Sequence, residues 1–294
     1  MTEKKTIRLV LPHWQGGVNP DYVFGAEVLS FIAPPSNKDE TIKVTVNENF
    51  DKPLVKENGV DGKDMLLTQL AETEAILKLK EPDRVIVFGG DCSVSQAPFD
   101  YLSGKYGETL GILWLDAHPD IATPDYSSHE HEMVLGNIIG KGAPGFAEKM
   151  KHPIDVNRVM YGGLILDELR PMEKSVYDLK ITVAAPDTLA QNSDEIIRWI
   201  EQNKISKLAV HLDLDVISPE DFRSVLPAKP YLKKEDFGAA VGELTLDQIV
   251  RILNDSNNAA EIVGLSIAEH MPWDAINLRR ALSRISIFDE KVKI

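Results

Sequence analysis

Short apolar runs that end in polar or glycine residues alternate along the chain with stretches of helical period. Near-continuous apolarity, without strict alternation of polar and apolar positions, predicts strands that are buried on both faces, as in a parallel sheet. The predicted strands are Thr6–Leu11, Arg84–Gly90, Leu110–His118, Arg158–Gly163, Lys180–Pro186, Lys207–Asp215 and Glu261–His270. The pattern is weakest at Lys180–Pro186.

Helices are predicted between these strands. Leucines recur on one face of a predicted helix over 64–80. Asn192 with Glu195, and Thr245 with Gln248, resemble capping boxes, in which side chains satisfy the free N–H groups at a helix start. The alternation of strand and helix predicts an α/β fold with helices on both faces of a mostly parallel sheet. No segment has the composition of a linker, so residues 1–294 are expected to form a single domain.

The amino-acid composition excludes several classes of binding partner for the chain. The 294 residues include 46 acidic and 32 basic side chains, for a formal net charge of -14. Such a chain repels nucleic acid and anionic membranes, so neither is an expected partner. The single cysteine excludes an intrachain disulfide, and no apolar run reaches the length of a membrane span. A cytoplasmic location is therefore expected.

Acidic residues, with a few His or Cys side chains, follow the carboxyl ends of four predicted strands. Ligands of open α/β sheets bind outside these ends, and a spacing of two residues directs side chains to the same side of an extended chain. Carboxylates this dense need a countercharge, and oxygen ligands with one or two imidazoles suit Mn²⁺. They can also bridge two ions about 3.5–4 Å apart. The residues are Asp91, Cys92, Asp116, His118, Asp120, Asp213, Asp215, Glu269 and His270.

Four motifs in this order resemble a known family, the ureohydrolases (arginase, agmatinase and relatives). "GGDCS" resembles the family's GGDHS, "DAHPD" matches DAHxD, "HLDLDVISP" resembles S-x-D-x-D-x-x-D-P, and "SIAEHMP" resembles a strand that ends in E-x-x-P. The match spans most of 89–272. It implies a three-layer α/β/α sandwich that carries two manganese ions and hydrolyses a small guanidino or amidino substrate.

The resemblance also implies a metal-ligand set. Asp116 and Asp213 would bridge the two ions. Cys92 and Asp120 would complete the shell of the first ion, and His118 and Asp215 that of the second.

Catalytic roles follow from the same resemblance. A hydroxide between the ions would attack the guanidinium carbon, and the products would be urea and an amine. Asp120 would take the hydroxide proton, and Glu269 would pair with the guanidinium. His131 is the candidate that shuttles protons to the leaving amine, and His129 is the alternative.

The chain departs from the family at Cys92, where the family has a histidine. A thiolate is a soft ligand that favours Zn²⁺, Fe²⁺ or Co²⁺, whereas a neutral thiol binds Mn²⁺ poorly. The first site is therefore expected to be weak, or to hold another divalent metal. Alternatively, Cys92 is only a small buried residue in a strand-to-helix turn.

The loop after DAHPD also departs, because "HEMV" stands where the family has H-G-x-P and Ala122 stands where arginase places an asparagine. Ser127 and Asp167 are candidates for contacts to the far end of the substrate. The incomplete pattern favours a guanidino or amidino compound other than arginine.

Two other hypotheses remain at this point. One is a catalytically impaired relative that serves as a binding or regulatory protein, which Cys92 and "HEMV" favour. The other is an amide hydrolase on a deacetylase-like fold, which Glu269 and the DAHxD spacing disfavour. Resemblance to the family also implies a homo-oligomer, either a trimer or a hexamer.

Overall fold

The computed structural model describes residues 4–285 and 287, and an eight-stranded sheet lies at its centre. Its strands are β1 (Thr6–Leu11), β2 (Glu40–Lys43), β5 (Arg84–Gly89), β6 (Leu110–Leu115), β7 (Val159–Gly162), β8 (Thr182–Ala184), β9 (Lys207–Asp213) and β10 (Glu261–Ala268). All neighbours are parallel, in the order β2-β1-β5-β10-β9-β6-β7-β8. A separate antiparallel pair comprises β3 (Lys56–Glu57) and β4 (Val60–Asp61).

Helices cover both faces of the sheet. They are α1 (Asp21–Ile32), α2 (Lys63–Lys80), α3 (Gln96–Tyr106), α4 (Val134–Ile138), α5 (Val176–Leu179), α6 (Pro186–Gln191), α7 (Asp194–Gln202), α8 (Lys234–Phe237), α9 (Leu246–Ala259) and α10 (Trp273–Leu282). Side chains of α2, α3 and α4 pack on one face. Side chains of α1, α6, α7 and α9 pack on the other. The predicted three-layer α/β/α sandwich is confirmed.

The central strands are buried on both faces, which explains their sequence. All six residues of β6 are buried, and six of the seven residues of β9 are buried. Leu113 packs with the α7 face while Trp114 packs with the α2 and α3 face, so both sides of the strand require apolar residues. Each of the seven predicted strands has a counterpart in the sheet.

Two local features differ from prediction. Strand β2 has a short and mostly exposed sequence, so it carries no buried pattern that would distinguish it from a loop. The capping box at Asn192 is wrong, because Asn192 ends α6 and Ser193 precedes the first residue of α7. The box of Thr245 with Gln248 is confirmed, with both reciprocal hydrogen bonds present.

The four central neighbours of the sheet, β5, β10, β9 and β6, are the strands whose carboxyl ends carry the acidic residues. Adjacent strands lie about 4.8 Å apart. Their ends can therefore place side chains of all four around one point. None of the helices in the described ranges is long and apolar enough to cross a membrane.

Candidate metal centre

The predicted metal-binding residues meet at this rim of the sheet. Asp116 follows β6 directly, Asp213 is the last residue of β9, and Cys92 lies three residues beyond β5. Ligand atoms of Asp116, His118 and Asp215 lie within 4.8 Å of one another. The structure therefore brings side chains from separate strands within common reach.

Three further groups meet the same 4.8 Å limit, and each of the four groups shares members with two of the others. They are Asp213, Asp215 and Glu269; Cys92, His131 and Glu269; and Cys92, Asp116, Asp120 and His211. Asp116 belongs to two groups, as a carboxylate that bridges two ions would. The overlap defines one continuous site with room for more than one cation.

Burial raises the pKa values of several of these carboxyl groups. The pKa of Asp116 rises to about 6, and the pKa values of Asp120 and Asp213 lie well above the usual range. Burial also disfavours the charge on Asp215, but the adjacent His118 outweighs it and lowers the pKa of Asp215. The cluster is thus short of positive charge, as a site for divalent cations would be.

Unpaired oxygens support the same conclusion. Oδ2 of Asp120 and Oδ1 of Asp215 are buried without a hydrogen-bond partner. Buried acceptors are normally paired, because an unsatisfied one costs about 1–3 kcal/mol. A cation within reach of both groups would satisfy them, so the residues fit a metal centre.

Backbone groups hold the ligands in place. Asp116 Oδ1 accepts from the His118 N–H at 2.7 Å, and Asp213 Oδ1 accepts from the Asp215 N–H at 2.8 Å. The His118 ring has Nε2 3.1 Å from the carbonyl oxygen of Ala240, which leaves Nδ1 to face the carboxylates of Asp116 and Asp215. Such outer contacts fix the orientation of metal ligands before an ion arrives.

Glu269 lies beside the carboxylate cluster, between two other side chains. Its Oε1 is 2.8 Å from Nδ1 of His131, and its Oε2 accepts a hydrogen bond of 2.7 Å from the Tyr22 hydroxyl. Both Glu269 and Asp120 have left-handed backbones, with φ of 61° and 47°. Non-glycine residues adopt this conformation rarely, and it concentrates at functional sites.

Comparison with known proteins identifies the family. The model of the arginase family matches residues 33–277. The chain belongs to the arginase family.

Curated relatives agree with this assignment. Arginase 2, chloroplastic/mitochondrial, of Arabidopsis thaliana is 42% identical over 226 residues, which cover 74% of this chain and 56% of that protein. The arginase of Entamoeba histolytica is 27% identical over 146 residues, or 46% of this chain and 48% of that protein. The chain thus spans about half the length of these two curated relatives.

Solved structures show the arginase fold. The arginase of Entamoeba histolytica, solved in complex with L-ornithine, superposes with a TM-score of 0.77 at 18% identity and covers 99% of this chain and 100% of that one. Formimidoylglutamase from Bacillus subtilis gives a TM-score of 0.62 at 13% identity, over 91% of this chain and 79% of that one.

Cys92 stands where the resemblance to the family implies a histidine. Its Sγ is 3.0 Å from Oδ2 of Asp213 and 3.6 Å from Oε1 of Glu269. Burial, followed by the charges of Asp213 and Glu269, raises the pKa of the thiol well above its usual value. In the metal-free chain, Cys92 is therefore a neutral thiol that donates to a carboxylate.

A cavity of about 240 Å³ opens onto the site. Both candidate proton shuttles, His129 and His131, line it. Only His131 contacts Glu269, whereas burial lowers the pKa of His129.

Ser127 and Asp167 are not among the residues that line the cavity. The Ser127 hydroxyl donates to the carboxylate of Glu132, which does line it, and Asp167 is exposed on the turn Leu166–Glu168. A contact of either side chain with the substrate stays a prediction.

Sequence reasoning missed Tyr22 and His211. Tyr22 reaches Glu269 from α1, which lies 247 residues earlier in the chain, so no local motif connects them. His211 stands two residues before Asp213, on the same side of β9. That spacing was a usable signal, but a histidine inside an apolar strand resembles a core residue.

Proposed function

We propose that this chain is a metal-dependent hydrolase of the ureohydrolase type. It would cleave a C–N bond of a guanidino or amidino compound, giving urea and an amine from a guanidino substrate. The observation that carries the proposal is the position of Glu269, whose carboxylate lines the same cavity as Asp120, Asp213 and Asp215. The Glu269 carboxylate would bind a cationic substrate, and the neighbouring aspartates would hold the metal ions that activate the attacking water.

Two Mn²⁺ ions are the proposed cofactor. Asp116 and Asp213 would bridge them. Asp116 belongs to two of the overlapping groups, and Asp213 belongs to a group that shares Asp215 with one of these. The remaining ligands would be Cys92 and Asp120 at the first ion, and His118 and Asp215 at the second. When bound, the ions lower the pKa of water and supply a hydroxide nucleophile at neutral pH.

Glu269 would bind and orient the substrate. Its carboxylate pairs with a guanidinium through charge-assisted hydrogen bonds, and Tyr22 holds Oε2 in place from the opposite side. The left-handed backbone of Glu269 directs this side chain toward the cavity instead of along the strand.

Asp120 and His131 would move the protons. Asp120 has a buried oxygen free to accept the proton that water loses. Burial lowers the pKa of His131, but the charge and hydrogen bond of Glu269 outweigh that effect and raise it to about 9. A protonated imidazole is the right form to donate to the leaving amine.

The substrate is proposed to be a compound other than arginine. Neither Ser127 nor Asp167 lines the cavity, so neither supplies a contact there to an amino-acid end. The cavity of about 240 Å³ limits the substrate to a small molecule. The homo-oligomer, as a trimer or hexamer, and a cytoplasmic location also remain proposals, and light scattering of the purified protein tests the first.

Metal content and product release test the function together. Protein purified without added metal would be dialysed against chelator, titrated with Mn²⁺, and assayed with guanidino and formimino compounds whose far ends are amino-acid, amine or carboxylate groups. The assay would detect urea from the guanidino compounds and formamide from the formimino compounds. We expect two Mn²⁺ equivalents and release from at least one compound. Asp116→Asn should abolish both. Two bound equivalents without product from any compound would instead support a binding or regulatory protein.

A further inference from the structure

His211 is a buried histidine at the metal centre for which the family's motifs provide no role. It lies in β9 with no exposed surface, and its ring stacks on the indole of Trp114 with a centroid distance of 3.8 Å and an interplanar angle of 17°. The motif pattern S-x-D-x-D places a serine at this position, since Asp213 and Asp215 are its two aspartates.

The two ring nitrogens of His211 have different environments. Nδ1 lies 2.7 Å from the hydroxyl of Ser95 and 3.3 Å from the hydroxyl of Ser266. The two hydroxyls are also 2.6 Å apart, so they form a fixed polar clamp. Nε2 is buried and has no hydrogen-bond partner. One nitrogen is thus fully engaged, and the other is left with a free lone pair or proton.

One ring nitrogen of His211 belongs to the carboxylate cluster, and Nε2 is the nitrogen that has no other partner. Ligand atoms of His211, Cys92, Asp116 and Asp120 all lie within 4.8 Å of one another. Atoms that surround one ion at about 2.0–2.3 Å can be separated by up to about 4.6 Å. The four residues therefore have nearly the separations of a completed ligand shell, and all four are buried.

We infer that His211 is a ligand of the first metal ion through Nε2. The inference rests on the proposed binuclear site and adds a ligand to it. The imidazole that the family places at position 92 would then be supplied by the neighbouring strand, at position 211. Ser95 and Ser266 would hold the ring by Nδ1, as outer contacts hold the other metal-bound histidines of proteins.

The small size of Cys92 is compatible with an imidazole at position 211. An imidazole at position 92 and another at position 211 would compete for the same space, because Cys92 already lies within 4.8 Å of the His211 ligand atom. A small thiol leaves room for the ring. The first ion thereby keeps one nitrogen ligand, and Mn²⁺ can bind there without any contribution from sulfur.

Replacing each residue separately tests the exchange. His211→Ser restores the family's serine, and we expect one of two Mn²⁺ equivalents to weaken by at least about 100-fold, since even outer contacts are worth 10–100-fold in affinity. Cys92→Ser should weaken the same equivalent far less, because a neutral thiol is already a poor ligand for Mn²⁺. The double variant Cys92→His, His211→Ser should regain the weakened one, which a purely structural role for His211 would not produce.

His13 provides a matched control. It is also buried, its Nδ1 is 3.2 Å from the Ser93 hydroxyl, and its Nε2 has no partner. It belongs to none of the potential metal-binding groups found among the described residues. His13→Asn should therefore keep two Mn²⁺ equivalents.

Spectroscopy of the unmodified protein guards against a variant that does not fold. Pulsed paramagnetic resonance of Mn²⁺-loaded protein labelled with ¹⁵N-histidine should show two classes of directly bound nitrogen, from His118 and His211. A single class, or two tight equivalents in folded His211→Ser, would overturn the inference. Two bound nitrogens with no urea from any substrate would support it while contradicting the proposed function. A wild type that binds no Mn²⁺ would contradict both.

Discussion

At the scale of single residues, Glu269 belongs to two of the potential metal-binding groups and also lines the cavity. Its two oxygens have separate partners, with Oε1 facing His131 and Oε2 facing Tyr22. The sequence predicted the carboxylate at this rim from its place at a strand end. The partner on α1 was beyond prediction, since only tertiary packing brings it there.

Glu269→Gln should remove most activity and leave metal binding intact. The amide keeps the shape of the side chain but loses its charge, and hydrogen bonds to charged groups contribute about 1.5–3 kcal/mol, so kcat/KM should fall by roughly 100-fold. Urea release and Mn²⁺ titration measure the two effects. Glu27→Gln, a change in a surface pair with Lys43, is the control and should be neutral. Full turnover in Glu269→Gln would exclude the role.

Tyr22→Phe tests the positioning of that carboxylate. The change removes the hydroxyl that donates to Oε2 at 2.7 Å and keeps the ring that packs in the core. One charged hydrogen bond is lost, so we expect roughly a 10-fold lower kcat/KM with unchanged Mn²⁺ stoichiometry. Tyr101→Phe is the control. It removes a hydroxyl that donates to the carbonyl oxygen of Pro82, neither residue lines the cavity, and the change should leave kcat/KM unchanged. Equal kinetics of both variants would contradict the role of Tyr22.

At the scale of elements, burial determined what the sequence could predict. Strands such as β6 are buried on both faces, so their apolar runs identify them. Edge strand β2 is mostly exposed and carries no such run. Within the site, Asp116 and Asp213 follow from strand ends, whereas His211 is hidden by the apolar strand around it. The Ser127 hydroxyl binds Glu132 within the same loop, a contact that the sequence pattern does not reveal.

The amino-terminal ends of the central strands have their own charge cluster. Glu261 begins β10 and contacts three cationic side chains: Lys4, Arg84 at the start of β5 and Lys207 at the start of β9. Although burial opposes ionisation, Lys207, Lys4 and Arg84 outweigh it and lower the pKa of Glu261 to about 2. One carboxylate thereby ties together the starts of adjacent strands.

Glu261→Gln should lower the free energy of unfolding by about 1–2 kcal/mol at neutral pH, because partly exposed pairs contribute about 0.2–1 kcal/mol each. The folded pKa is depressed, so the stabilisation is present above about pH 4.5 and is lost as pH falls through about 2. Urea unfolding of wild type and variant at pH 7 and pH 3 measures this, and the gap should narrow at pH 3. A gap as small as that of Glu27→Gln at pH 7 would contradict it.

At the scale of the whole molecule, the carboxyl groups at the two rims of the sheet have different partners. The amino-terminal rim neutralises Glu261 with the protein's own cations. At the carboxyl-terminal rim, Asp116 and Asp213 contact backbone N–H groups, an indole, a thiol and the His118 ring. Their pKa values are raised instead of lowered. The carboxyl groups of this rim are thus less compensated than Glu261, as the proposed metal site requires.

Raised pKa values set the sign of the pH response of the metal-free protein. Burial raises the pKa of Glu130 to about 8, and Glu269 overcomes burial to raise that of His131 to about 9. Burial also holds the pKa values of Asp120 and Asp213 well above the usual range. The folded chain thus retains protons that the unfolded chain has lost. Stability from these groups is lost as pH rises through their folded pKa values, toward about 9.

Above about pH 7.5 the opposing contribution of buried neutral histidines is nearly complete, because unfolded histidines, with a pKa of about 6.5, are then about nine-tenths neutral. The metal-free protein should therefore lose about 1.4 kcal/mol per pH unit for each proton retained on folding, between about pH 7.5 and about pH 8.5. Mn²⁺ binds the deprotonated carboxylates of the folded chain, so it should stabilise the protein more as pH rises. Thermal unfolding with chelator and with Mn²⁺ across this range measures both effects. The double variant Asp116→Asn, Asp213→Asn should lose the response to Mn²⁺. A metal-free melting temperature that rises with pH would refute this account of the rim.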